Sequence, residues 1–197
     1  MHIHKRKPAD FYPTPPDVTV ALVEWIGLRD DLVIWEPACG DGAMSNVLRR
    51  YSKDVIATDL REDVTGGKGG IDFLQADTIQ ADWVITNPPF SIAAEFIQKA
   101  LSITPNVAML LKATYWNAKG REPLFRARPP SWILPLTWRP AFLESERGKS
   151  PLMDVMWCVW QSGGNGETRF EPLLRPRFNM PVRNNLFAID SALLDIL

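Results

Sequence analysis

The stretch LVIWEPACGDGAMSNVL, residues 32–48, passes from a run of apolar and β-branched residues, through a loop with two glycines, into a segment of helical composition. An apolar run this short, bounded by Pro and Gly, reads as a strand. Gly40 and Gly42 let the backbone turn sharply and approach a ligand closely before the helix begins. Strand, glycine loop and helix in that order open a β-α-β unit, and sheets of such units bind ligands outside the carboxyl ends of their strands.

The neighbouring sequence continues this rhythm. Upstream, TPPDVTVALVEWIGL (14–28) offers Thr14 as a helix N-cap with Asp17 three residues on. Val18, Ala21, Leu22, Trp25 and Ile26 follow at helical spacing, with Gly27 as a stop. Downstream, residues 54–60, 71–74, 82–86 and 107–112 are further short apolar runs that read as strands, and 41–52 and 91–103 have helical composition. Beyond Lys112 a short helix is expected over 115–127 and strands over 131–136 and 152–160, with proline-rich loops at 129–140 and 172–181. The alternation predicts an α/β fold with a doubly wound, mostly parallel sheet and helices on both faces. The 197 residues are expected to form a single domain, with a flexible basic arm at 1–10.

The net charge of −1 conceals an asymmetry. Residues 11–111 carry 7 basic and 14 acidic side chains, whereas residues 112–149 carry 8 basic and 3 acidic ones. An acidic front and a basic segment suggest two surfaces with different partners, although a solvated face is the plainer reading of a charge cluster. Cys39 and Cys158 are the only cysteines, and with two histidines they lack the spacing of a zinc site, so no metal is expected. Without a signal peptide or a spanning apolar run, a reducing cytoplasm is the expected location.

The residues that end the strands form a set. EPACGDG closes the first, Asp59 closes the second about 20 residues later and can hold both hydroxyls of a ribose, and Asp72 and Phe73 place an acceptor beside an aromatic face suited to adenine. Singly, a glycine pair is a turn, Asp59 a helix cap and Phe73 core. In this order and spacing they point together to a nucleoside ligand. The loop lacks the full G-x-G-x-x-G spacing and any lysine for phosphate, and Glu36 and Asp41 would repel a pyrophosphate. A cationic, phosphate-free nucleoside, S-adenosylmethionine, fits that chemistry.

FYPTP (11–15), EPACGDG (36–42), Asp59, DF (72–73) and NPPF (87–90) resemble, in that order, motifs X, I, II, III and IV of the amino-methylating DNA methyltransferases, most closely the adenine-specific ones. The likeness covers about the first 110 residues, and the small size is similar to solitary enzymes of bacteriophages and prophages. The resemblance implies a Rossmann-like class I methyltransferase fold with a seven-stranded sheet. It implies that Tyr12, Pro13, Thr14, Glu36, Pro37, Ala38 and Gly40 surround the methionine end of S-adenosylmethionine, with Asn87 beside them. Asp59 and Leu60 would then serve the ribose side, and Asp72 and Phe73 the adenine. Asn87, Pro88, Pro89 and Phe90 would be catalytic. The Asn87 amide oxygen and the Pro88 carbonyl would accept the hydrogens of an aromatic amine and aim its lone pair at the sulfonium methyl, while Phe90 stacks on a flipped base.

No cysteine nucleophile is needed for such a displacement, so Cys39 reads as packing. The basic segment 112–149 is the candidate DNA surface, with Lys112, Lys119, Arg121, Arg126, Arg128 and Arg139 as phosphate contacts and Trp116 and Trp138 as base contacts. RNA and a protein glutamine are rival amine substrates, and a non-catalytic cofactor-binding subunit is the rival outside enzymes.

Overall fold

The computed structural model describes residues 12–142, 153–163 and 166–177. The basic arm at 1–10 and the end of the basic segment, with Arg147 and Lys149, lie outside the described residues. The elements run α1 (Pro16–Ile26), β1 (Val33–Glu36), α2 (Ala43–Leu48), β2 (Asp54–Ala57), β3 (Trp83–Thr86), α3 (Ala93–Ile103), β4 (Val107–Lys112), α4 (Glu122–Ala127), β5 (Trp132–Pro135), β6 (Val155–Trp160) and β7 (Arg169–Phe170). One seven-stranded sheet has the order β2-β1-β3-β4-β6-β5-β7. All its pairings are parallel except those of β6, which runs antiparallel to both β4 and β5.

Alternation along the strands fills two cores. Ala108, Leu110, Val155, Trp157 and Val159 face α1 and α2, packing with Val18, Leu22, Met44 and Leu48. Their sequence neighbours Met109, Leu111, Met156, Cys158 and Trp160 face the other way, onto Ala93, Phe96, Ile97 and Ala100 of α3 and Leu124 of α4. Both faces of the central strands are covered, which is why β4 and β6 are unbroken apolar runs rather than alternating ones.

The expected count of seven strands is met by a different set. Residues 71–74 were expected to form a strand but form a turn: the Asp72 carboxylate accepts the Leu74 N–H at 3.0 Å, and its carbonyl accepts the N–H groups of Gln75 and Ala76. A short acidic side chain that bonds its own backbone competes with a ladder, and here it wins. The seventh strand is instead β7, two residues at the far rim. At the near rim, residues 65–68 fold back along β2, where Lys68 N–H donates to the Ala57 carbonyl and Asp59 N–H to the Lys68 carbonyl.

Helix α1 stops as expected at Gly27, left-handed at φ 64°. It begins differently, because Pro15 rather than Thr14 holds the N-cap position and no side chain caps the helix. Asp17 pairs instead with Arg175 at 2.9 Å.

Candidate functional site

Leaving β1, the chain turns to β2 on one side and later to β3 on the other, so the crevice at the carboxyl ends of β1 and β3 is the switch point of the sheet. Register brings the loop after Glu36 level with the segment after Thr86, since Trp35 pairs with Val84. Gly40 at φ 55° and Gly42 at φ 82° make the turn into α2, and a Cβ on Gly42 would lie 2.7 Å from the Thr65 carbonyl oxygen. Residues 65 and 66 fasten this loop from outside: Thr65 Oγ1 donates to the Asp41 carbonyl and Arg49 to the Gly66 carbonyl.

Asn87 is the junction of the site. Its Nδ2 donates to the Tyr12 carbonyl at 3.2 Å and to Thr14 Oγ1 at 3.1 Å. A backbone carbonyl can only accept, so the amide orientation is fixed chemically, and Oδ1 faces away from the Tyr12–Thr14 segment. The hydroxyl expected to cap α1 thus holds the amide. Pro88 and Pro89 are buried, and the Pro89 carbonyl accepts the Ile92 N–H in a 3-10 turn at 90–92. The Phe90 ring lies half-buried, 6.1 Å from the Tyr12 ring, whose edge meets Phe142 at 6.2 Å. Phe142 was missed by the sequence reading, being a lone aromatic 130 residues beyond Tyr12, the ring it meets.

Glu36 is buried at 2% exposure and accepts a hydrogen bond from the Ser45 hydroxyl. Burial pushes its pKa up to about 8; the Ser45 bond and the Arg49 charge oppose this, and Asp59 and Asp41 add to it. Burial, with the charges of Glu36 and Asp59, also pushes the Cys39 thiol up to about 12, so it carries no thiolate near neutral pH.

Asp59 is fully buried, and its two oxygens accept the N–H groups of Gly40 at 2.8 Å and Arg61 at 2.9 Å. The acid nominated for a ribose is therefore also the clasp that holds the glycine loop to the end of β2. Asp59→Asn should lower unfolding stability by about 1 to 3 kcal/mol, because an amide NH2 group would face a backbone donor and leave it unpaired. Urea denaturation checks this, and an unchanged midpoint would remove the clasp.

A narrow cavity lined by Tyr12, Thr14, Glu36, Ala38, Gly40 and Asn87 gathers the first, second and fifth of the expected motifs. Leu60, 39% exposed, and the exposed Asp72 lie at the surface next to Asp59 and Phe73. Phe73 does not offer a face: at 2% exposure its ring meets Trp35 at 5.0 Å and Phe96 at 4.9 Å, and core packing has claimed it.

The basic segment divides. Lys112 ends β4 beside Phe90. Arg139 pairs with Asp154 at 2.6 Å, and the Asp154 carbonyl accepts the Ala113 N–H, which keeps both on the same edge of the sheet. Arg121 lies over the Tyr115 ring and donates to its carbonyl, and Arg126 pairs with Glu122. Lys119 is exposed in a 3-10 turn at 119–121. Arg128 lines a separate cavity with Thr104 and Trp160, at the amino end of β4, on the edge opposite the candidate site. One flat surface through all six cations is thereby excluded. Trp116 and Trp138 are not open platforms either, since both pack against the cores.

Among the described residues no group of His, Cys, Asp and Glu could hold a metal ion, and no helix is long and apolar enough to cross a membrane.

No protein-family model matches the chain, and no curated protein does. Solved structures do. A Listeria monocytogenes protein assigned to the class I S-adenosylmethionine-dependent methyltransferases aligns with TM-score 0.58 and 14% identity over 86% of this chain and 68% of its own. The methyltransferase subunit of a type I restriction-modification system from Streptococcus thermophilus gives 0.60 and 13%, over 83% of this chain and 47% of its own. A dimethyladenosine transferase from Plasmodium falciparum gives 0.57 and 12%, over 78% and 64%. The chain thus spans about half the length of the type I subunit. At these identities the likeness is one of fold: the chain has the class I S-adenosylmethionine-dependent methyltransferase fold, and S-adenosylmethionine is the cofactor expected with it.

Proposed function

We propose that the chain is an S-adenosylmethionine-dependent methyltransferase that modifies the exocyclic amine of adenine in DNA. The observation that carries this reading is the Asn87 amide, held by Tyr12 and Thr14 so that its oxygen faces away from the cofactor segment. The residues present fit the cofactor. Glu36 is a buried carboxyl whose ionisation needs a cation beside it, the glycine loop is acidic and has no lysine, and Leu60 leaves apolar surface for an adenosine. When bound, S-adenosylmethionine supplies an electrophilic methyl group on a sulfonium.

The remaining chemistry belongs to the chain. The lone pair of an aromatic amine is delocalised into its ring, and Asn87 Oδ1 with the Pro88 carbonyl can each accept one of its hydrogens, favouring the tetrahedral nitrogen that attacks. Two prolines make those acceptors rigid, so no reorganisation is needed as charge develops. Phe90 provides the face on which a flipped base stacks.

Radiolabelled methyl transfer to unmethylated DNA, RNA and protein, followed by mass spectrometry of the digested product, tests the proposal. N6-methyladenine in DNA is expected. Label in RNA or glutamine, or exocyclic methylcytosine, would replace the substrate while keeping the amine chemistry. Methylation at a cytosine ring carbon would overturn the mechanism. In the same assay Phe90→Ala should lose about 1 to 3 kcal/mol of substrate stacking, while Phe90→Trp should retain activity.

A further inference from the structure

Lys112 stands where a base would have to arrive. Strands β3 and β4 pair from Val84 with Val107 to Thr86 with Met109, after which β3 gives way to the NPPF turn while β4 runs three residues further. That overshoot, roughly 10 Å at the rise of a strand, carries the last residue of β4 past Asn87 to the Phe90 ring. The Lys112 ammonium lies 4.8 Å from the ring centre, on an exposed side chain. The Tyr12 ring also meets Phe90, and the Asn87 amide holds Tyr12 by its backbone. Where Arg121, Arg126 and Arg139 are each tied to a carbonyl or carboxylate, no carboxylate among the described residues pairs with Lys112.

We propose that Lys112 is a substrate-positioning residue: its ammonium caps the Phe90 ring, is displaced when a planar base stacks there, and then turns to the phosphate beside that base. The inference rests on the nucleic-acid reading above. A cation over an exposed phenyl ring is held only by the ring quadrupole, and stacking of a whole base on the same ring is the stronger interaction, so the base prevails. The displaced lysine keeps a compact charge on a flexible four-carbon stem, able to follow a phosphate without the fixed geometry that an arginine demands. Lys112 thereby becomes coupled to Phe90: its phosphate contact forms only when the ring has accepted a base.

A mutant cycle reads that coupling. Wild type, Lys112→Met, Phe90→Leu and the double variant are titrated with a fluorescent mixed-sequence duplex oligodeoxynucleotide and the matching RNA strand, over a range of salt. Lys112→Met is expected to weaken binding about 3- to 10-fold near 0.1 M salt and to reduce the salt slope by about 0.9. In the Phe90→Leu background the same change should cost less than about 2-fold. Lys112→Arg should restore the charge but not the full affinity. An equal loss in both backgrounds would make Lys112 an ordinary phosphate contact, and no loss in either, or no binding of DNA or RNA by wild type, would overturn the inference. Methyl transfer assayed on the same oligonucleotides separates the two claims. Coupling without transfer would count against the proposed reaction alone, and transfer without coupling against the role of Lys112 alone.

Discussion

Asn87→Ala is expected to cut methyl transfer by about 100- to 1000-fold, the usual cost of removing one preorganised polar group from a reacting centre. The loss should appear in kcat, with S-adenosylmethionine affinity within a few-fold of wild type. Single-turnover methyl transfer and calorimetric titration measure the two quantities separately. Asn87→Asp makes the sharper comparison. It preserves size and an acceptor oxygen, but the second carboxylate oxygen would face the Tyr12 carbonyl, which now receives a hydrogen bond from Nδ2 at 3.2 Å. Two acceptors repel, so the aspartate should turn and lose the aim of its other oxygen. A fully active Asn87→Asp would mean that the Tyr12 bond does not set the geometry, and a fully active Asn87→Ala would remove Asn87 from the mechanism.

The second large effect concerns protons. Glu36 holds its proton in the fold up to about pH 8, whereas a free glutamate releases it near 4.5. Between those values the folded chain binds one more proton than the unfolded chain. This contribution to stability is fully present below about pH 4.5 and lost as pH rises through about 8. At about 1.4 kcal/mol per unit, the swing is at most about 5 kcal/mol. Glu36→Gln should abolish this part of the pH dependence, as measured by urea unfolding between pH 5 and 8.5. The cofactor ammonium would reverse the effect of burial, so binding near pH 7 should release a proton. Calorimetry in buffers of different ionisation enthalpy would detect it. Binding heats that do not vary with the buffer would mean that Glu36 is already ionised.

The sequence was most legible where backbone and function impose the same demand. β4 occupies the whole of the expected 107–112, and the helix expected over 91–103 is the 3-10 turn at 90–92 followed by α3, because an unbroken apolar run and a strong 3.6-residue period have few other solutions. The glycine loop and the NPPF turn meet as the strand order requires. What could not be read was competition for a group with two uses. Thr14 suits a helix cap and a hydrogen bond to Asn87, and a partner 73 residues away took it. Phe73 suits adenine and core alike, and Trp35 and Phe96 enclosed it. The two residues of β7 are too few to show any period, and Phe142 finds Tyr12 only through the fold.

The strip at 65–68 that fastens the glycine loop also changes what the sheet presents to other molecules. An open parallel sheet ends in a row of unpaired donors and acceptors, the template on which chains add to one another and aggregate. Here Lys68 already occupies part of that row along β2. Gly67 permits so close an approach, since a Cβ there would come within 2.8 Å of the Ala57 carbonyl oxygen. At the other rim, β7 is two residues long and Pro172 follows with no N–H to offer. Among the described residues, then, neither rim gives an incoming strand a long ladder on which to add.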